Sequence, residues 1–149
     1  MNKSIQKAST LWSSEQATIA TRGITQGKWK ADGISIDSRN LLPGDLFIAL
    51  KGPNHDGHDH VSAALSGDAV AAMVEQVPKS SDVVGPLLIV PSSIKGLYNL
   101  ARAARERSAA SIIAITGSVG KTGMKELIYR ALSSVGPGGR SSGNLNNHI

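Results

Sequence analysis

Residues 116–122 read Thr-Gly-Ser-Val-Gly-Lys-Thr, a spacing that suits one kind of chemistry. Gly117 and Gly120 let the backbone curl until several N–H groups point into one concavity, which fits the oxygens of a phosphate. Lys121 adds a mobile positive charge near a β- or γ-phosphate, and the hydroxyl of Thr122 is placed as a magnesium ligand. The general phosphate loop is G-x-x-x-x-G-K-[ST], but Ile115 stands where its first glycine would be, so this is the shorter G-x-x-G-K-T form. A bare match of that length says little. Here the apolar run Ile-Ile-Ala-Ile-Thr (112–116) precedes it and an amphipathic segment follows it, which is the strand, bend and helix the chemistry requires.

A second cluster spans residues 37–60. Asp37, Ser38 and Arg39 close a strand-like segment, where Ser38 and Arg39 can hold a phosphate. Lys51, Gly52, Asn54, His55, Asp56, Gly57 and His58 then form a glycine-flanked loop in which Asn54 and His55 can read the polar edge of a base. Two other readings stay open on spacing alone. His55, His58 and His60 with Asp56 and Asp59 have metal-ligand character but lie in a loop with no strand or helix to fix their geometry. Alternatively, the loop is merely polar and Asp59 caps the helix after it. A third cluster, Gly-Asn-Leu-Asn-Asn-His-Ile (143–149), is rich in amide donors and acceptors, and ordinary turn chemistry accounts for it equally well.

The elements that would position these groups are legible in the periodicity. Ser13-x-x-Gln16 is a capping box and Gly23 a stop, so a short helix is expected over 14–21. Ile34 and Ile36 alternate with polar positions as in a half-buried strand, Pro43-Gly44 suits a type II turn, and 46–50 is a continuous apolar run. One or two helical turns ending at Gly67, the strand-like segment 69–74 and the short strand 87–90 follow. Segment 1–91 therefore reads as a small α/β unit. Beyond it, Ile94, Leu97, Ala101 and Ala104 recur along one helical face. Met124, Leu127, Ile128, Ala131 and Leu132 do so on a second helix, expected to pack on a sheet with Lys125 and Arg130 toward solvent.

Composition narrows the classes. The 149 residues are 40% hydrophobic and 18% charged, near the globular average, but only 3% aromatic, so a core must rest on Ala, Val, Ile and Leu. A net charge of +5 invites a nucleic-acid reading, yet only 102–107 is dense in arginine and no aromatic is interleaved to stack on bases. The absence of cysteine excludes a disulfide scaffold, a thiolate metal site and a catalytic thiol. No apolar run has the length of a signal peptide or a membrane span, and the expected location is cytoplasmic.

Taken in order, these motifs resemble the Mur ligase family. The segment from Ser35 through Gly52 is similar to that family's amino-terminal domain, which binds the uridine-diphosphate end of the substrate. Residues 114–122 are similar to its short phosphate loop, and 143–149 resemble a loop of the branch that adds D-alanyl-D-alanine. The resemblance runs from about Leu11 to Ile149. It implies an α/β chain: a substrate domain over 1–91, then over 92–149 the first strand, loop and helix of a P-loop NTPase-like parallel-sheet domain that is truncated here.

Carried over by position, the resemblance implies substrate contacts from Asp37, Ser38, Arg39, Lys51, Gly52, Asn54 and His55, with Asn144, Asn146 and Asn147 between nucleotide and muramoyl substrate. It implies ATP contacts from Thr116, Gly117, Ser118, Val119, Gly120, Lys121, Thr122 and Gly123, with Lys121 catalytic and Thr122 on Mg2+. The family usually has a second hydroxyl residue where this chain has Gly123, which predicts weaker ATP anchoring. The implied reaction is ATP-driven amide formation through an acyl phosphate, joining D-Ala-D-Ala to UDP-N-acetylmuramoyl tripeptide, in a monomer and without nucleic acid. The later residues that complete such a site are not in these 149, so this part alone is expected not to turn over. Other readings are a sister ligase adding a single amino acid, a non-catalytic UDP-sugar-peptide binding module, or a generic P-loop NTPase, which would leave residues 37–60 without a role.

Overall fold

The computed structural model describes residues 10–78 and 84–141. The chain divides into two compact units, Met1–Ser108 and Ala109–Ile149.

In the first unit, Trp12–Ser13 (β1) leads into Ser14–Thr21 (α1). The expected capping box is present: Gln16 N–H donates to Ser13 Oγ and Ser13 N–H to Gln16 Oε1, both at 3.2 Å. The left-handed residue that ends α1 is Arg22 (φ 56°), not Gly23. Gly23 answers a different constraint. A Cβ there would lie 2.6 Å from the Ile89 carbonyl oxygen, so only glycine lets the chain run this close to the strand it joins.

Five strands form the main sheet in the order β2-β7-β6-β5-β4, with ranges Ile24–Gln26 (β2), Gly33–Ser35 (β4), Asp45–Ile48 (β5), Ala69–Val74 (β6) and Leu87–Ile89 (β7). β4 through β7 are mutually parallel and β2 closes one edge antiparallel to β7. A separate two-stranded ribbon pairs β1 with Lys30–Ala31 (β3). The Pro43-Gly44 turn joins β4 to β5, with Gly44 at φ 95° as a type II turn requires. Val61–Ser66 (α2) crosses from β5 to β6, and Ser93–Arg107 (α3) follows β7.

The period-two alternation of the strands sorts their side chains into two cores. Leu46, Ile48, Ala71, Met73, Leu88 and Val90 lie in one core with Trp12, Ala17 and Leu100, on the side of α1 and α3. Phe47, Ala72, Val74 and Leu87 lie in the other with Val61 and Ala64 of α2. A sheet covered on both faces explains why β6, and β5 after Asp45, are continuous apolar runs. It also places α3 in the first unit, packed against α1, one helix beyond the division near Pro91 that the sequence suggested. Arg107, at the end of α3, stacks 3.9 Å above the ring of Trp12 and donates to the Leu11 carbonyl.

The second unit contains Lys121–Ser133 (α4). The apolar segment 112–116, expected as a strand, is not paired in a sheet among the described residues, and without a neighbouring ladder an extended segment is not a strand. For the same reason α4 does not bury its apolar face: Met124, Leu127 and Leu132 are about half exposed or more. Lys125, expected in solvent, instead donates from Nζ to the Ser141 carbonyl at 2.8 Å. Arg140 pairs with Glu126 at 2.7 Å and stacks on Tyr129, so 135–141 runs back along the helix.

Candidate functional site

Four parallel strands present their carboxyl ends at one edge of the sheet, the edge where open α/β sheets bind ligands. The residues singled out in 37–55 follow the first two of those ends, and Glu75 and Ser93 follow the others.

After β4, Ser35 Oγ accepts from the Asp37 N–H at 3.2 Å and donates to the Asp37 carbonyl at 3.0 Å, turning the chain. Asp37 then caps a 3-10 turn, Ser38–Asn40, by accepting the Arg39 N–H at 3.0 Å. The same carboxylate takes the guanidinium edge-on, Nε to Oδ1 at 2.9 Å and Nη2 to Oδ2 at 2.8 Å, and also accepts from Asn40 Nδ2 at 3.1 Å. The Arg39 side chain holds the Asp37 carboxyl far below the usual carboxylate range, with the Arg39 N–H assisting. Arg39 remains 83% exposed. It is a cation already oriented by a planar fork and still open to a second anion.

After β5, Lys51 and Asp56 bridge antiparallel and Gly52 N–H donates to the His55 carbonyl at 2.8 Å, so Gly52, Pro53, Asn54 and His55 form a closed tip. Asn54 and His55 are exposed on that tip, and Lys51 Nζ stands 3.8 Å from Asp56 Oδ2. The loop re-enters the fold at Gly57, whose N–H donates to the Leu50 carbonyl at 2.8 Å. A Cβ at that position would meet Leu50 N at 2.8 Å.

Asp56, not Asp59, provides the cap here: its Oδ1 accepts the His58 N–H at 3.0 Å and opens the 3-10 turn Gly57–His60, while α2 begins without a side-chain cap. The His58 N–H, then the His58 ring, hold the Asp56 carboxyl below its ordinary range. The three histidines do not converge on a cation, and among the described residues no group of three or more His, Asp or Glu does. Glu75 gave no signal in the sequence, because its partners lie 17 and 18 residues away. Its N–H donates to His58 Nε2 at 2.9 Å and its Oε1 accepts from the Ser93 N–H at 2.8 Å.

In the second unit, Gly117 (φ 146°) and Gly120 (φ 77°) take the backbone conformations that the curl needs. Among the described residues no side chain caps α4, which leaves the amides of its first turn without a side-chain acceptor at the end of an exposed Thr116–Gly120 loop. Lys121 is the first residue of the helix and its Nζ reaches back to the Gly117 carbonyl, while Thr122 is exposed beside it. Amides without a side-chain cap at positive helix polarity, a lysine folded over the loop and an adjacent exposed hydroxyl suit a magnesium-bound polyphosphate. Lys121, Thr122 and Lys125 line a cleft of about 1090 Å³ whose apolar walls include Ile113, Ile128 and Leu132. A Cβ on Gly123 would touch nothing within 4 Å among the described residues, so none of them requires glycine there. Asn144, Asn146 and Asn147 lie outside the described residues.

Comparison with known proteins bears on this geometry. The family model described as "Mur ligase family, catalytic domain" matches residues 30–117, more than half of the chain. The chain is 40% identical over 118 residues to the UDP-N-acetylmuramoyl-tripeptide–D-alanyl-D-alanine ligase of Escherichia coli, covering 79% of this chain and 25% of that protein. It superposes on MurF of Acinetobacter baumannii with a TM-score of 0.74 and 32% identity, over 85% of this chain and 28% of that one. A MurF ligase of Thermotoga maritima, solved in complex with ADP, matches with a TM-score of 0.54 and 35% identity, over 68% and 23%. The chain spans about a quarter of the length of these relatives. No described helix is long and apolar enough to cross a membrane.

Proposed function

This chain belongs to the Mur ligase family, and we propose that it carries the UDP-substrate site and the nucleotide phosphate loop of a ligase joining D-Ala-D-Ala to UDP-N-acetylmuramoyl tripeptide. The observation that carries the reading is the shared sheet edge. The Asp37–Asn40 turn and the Lys51–Asp56 loop both emerge at the carboxyl ends of adjacent parallel strands, one with an oriented cation and the other with an exposed Asn-His tip.

On this reading Arg39 and Ser38 bind the diphosphate, and Asp37 keeps the guanidinium turned outward while the ligand is absent. Asn54 and His55 contact the uracil side, and Lys51 adds charge that keeps the loop closed on Asp56. Thr116 through Gly123 hold the phosphates of ATP, with Lys121 drawn from the Gly117 carbonyl toward the nucleotide and Thr122 offering its hydroxyl to magnesium. Magnesium-ATP, when bound, supplies the phosphoryl group that activates a carboxylate for attack by an amine. The role of Lys121 is to place positive charge where two anions must approach, in a site whose backbone dipoles are already oriented.

Calorimetric titration of the 149-residue chain with UDP-N-acetylmuramoyl tripeptide tests the reading. Binding that weakens by about tenfold or more in Arg39→Ala, as expected when a charge-assisted pair to phosphate is lost, supports it. Absence of binding by the folded wild-type chain overturns it and returns residues 37–60 to an unassigned surface.

A further inference from the structure

The loop that carries Lys51, Asn54 and His55 is tied to the end of β6 through the imidazole of His58. His58 Nδ1 stands 2.6 Å from Asp56 Oδ1, and its Nε2 accepts the backbone N–H of Glu75 at 2.9 Å. A backbone N–H can only donate, so Nε2 carries no proton, and the ring is the neutral Nδ1–H tautomer that donates to Asp56. From Glu75 the chain of bonds continues through its carboxylate to the Ser93 N–H in the first turn of α3. That helix N-terminus, where an anion is favoured, is thus occupied by the protein's own carboxylate. Three carboxyl ends of the sheet are joined in series: the loop after β5, the end of β6 and the helix after β7.

We infer that His58 is a positioning residue for substrate binding, bolting the Lys51–Asp56 loop to the end of β6 so that Asn54 and His55 are held in place before the ligand arrives. Two features support a positioning role. The His58 side chain is only 19% exposed, whereas Asn54 and His55 are exposed at the tip. The bonds it makes also reach across separate elements, from Asp56, which itself pairs with Lys51 across the loop, to Glu75 at the sheet edge. Removing the ring leaves Asp56 with only the His58 backbone N–H and the more distant Lys51 ammonium, and leaves the Glu75 N–H without its acceptor.

The inference rests on the assignment of this edge to the UDP substrate, and the test separates the two. His58→Ala removes both side-chain bonds, while His58→Gln puts an amide oxygen where Nε2 accepts the Glu75 N–H. Titrated with UDP-N-acetylmuramoyl tripeptide, His58→Ala is expected to bind about tenfold more weakly than wild type, with faster amide exchange over 51–57. His58→Gln is expected to recover most of both losses. Nitrogen shifts of the His58 ring should report a bare Nε2 and a protonated Nδ1 in the wild-type chain. Wild-type affinity in His58→Ala, or unaltered exchange of the loop amides, overturns the positioning role and leaves the substrate assignment standing. A folded wild-type chain that does not bind overturns the substrate assignment and this inference with it. If His58→Ala does not fold, His58→Gln decides: near-wild-type binding supports the role, and a loss as large as that of Arg39→Ala overturns it.

Discussion

Arg39 lays the flat edge of its guanidinium on the carboxylate of Asp37, with Nε and Nη2 at 2.9 and 2.8 Å from the two oxygens, while the side chain stays largely in solvent. The pair has a defined consequence for pH. The pKa of folded Asp37 lies below its ordinary value of 3.8, chiefly through the Arg39 side chain. Its stabilisation is therefore complete above that value and is lost only as pH falls below 3.8 toward the depressed folded value. A carbon-detected titration of Asp37 should show no step near 3.8 in the wild-type chain. In Arg39→Ala the step should move part of the way back, since the N–H of residue 39 and Asn40 still donate. An Asp37 that titrates normally in the wild type would contradict the pairing.

Gly57 is fixed by backbone, not by a mobile side chain. Its Cβ would lie 2.8 Å from Leu50 N and 2.9 Å from Leu50 O. Gly57→Ala must push the loop away from β5, at a cost of about 1–3 kcal/mol. The expected readouts are a lower midpoint in thermal unfolding and weaker binding of the UDP ligand. An unchanged midpoint would mean that the loop does not approach Leu50 this closely.

Ser93 is fully buried and its hydroxyl has no hydrogen-bond partner among the described residues. Its N–H, which Glu75 accepts, is unaffected by the side chain. Ser93→Ala should therefore be neutral or stabilising by up to about 1–2 kcal/mol, because it removes an unpaired buried polar group. Denaturant unfolding followed by tryptophan fluorescence reads this directly, and a clear destabilisation would reveal a partner for that hydroxyl.

Gly123 sits in the first turn of α4, and none of the described residues comes within 4 Å of where a Cβ would be. Gly123→Ala should strengthen the start of the helix by up to about 1 kcal/mol. Slower amide exchange in the first turn of α4 is the expected sign, and faster exchange would argue that Gly123 holds a conformation that alanine resists.

Lys121 and the 37–60 region lie in different units. Lys121→Ala should abolish any binding of magnesium-ATP while leaving affinity for UDP-N-acetylmuramoyl tripeptide within about twofold, as expected of groups that fold in separate units and share no partner. Parallel calorimetric titrations check both halves. Loss of the UDP ligand in this variant would contradict the assignment of separate roles.

Much of what depends on neighbours a few residues apart was legible in the chain of letters, though the local caps at Arg22 and Asp56 were not. The Ser13–Gln16 capping box, the Pro43-Gly44 turn, β6 over Ala69–Val74 and the curl at Gly117 and Gly120 are all contacts or dihedrals set within one turn or strand. Local spacing also marked Asp37 to Arg39, Lys51 to His55 and the phosphate loop as places where chemistry is possible. Tertiary structure decided what those groups are attached to. Gly23 is required by the carbonyl of Ile89, α3 packs on α1, and His58 finds Glu75. None of these has a sequence period, because each partner is brought in by the sheet. The apolar run 112–116 marks the same boundary from the other side: its letters specify a strand, but a strand exists only when a second one supplies the hydrogen bonds.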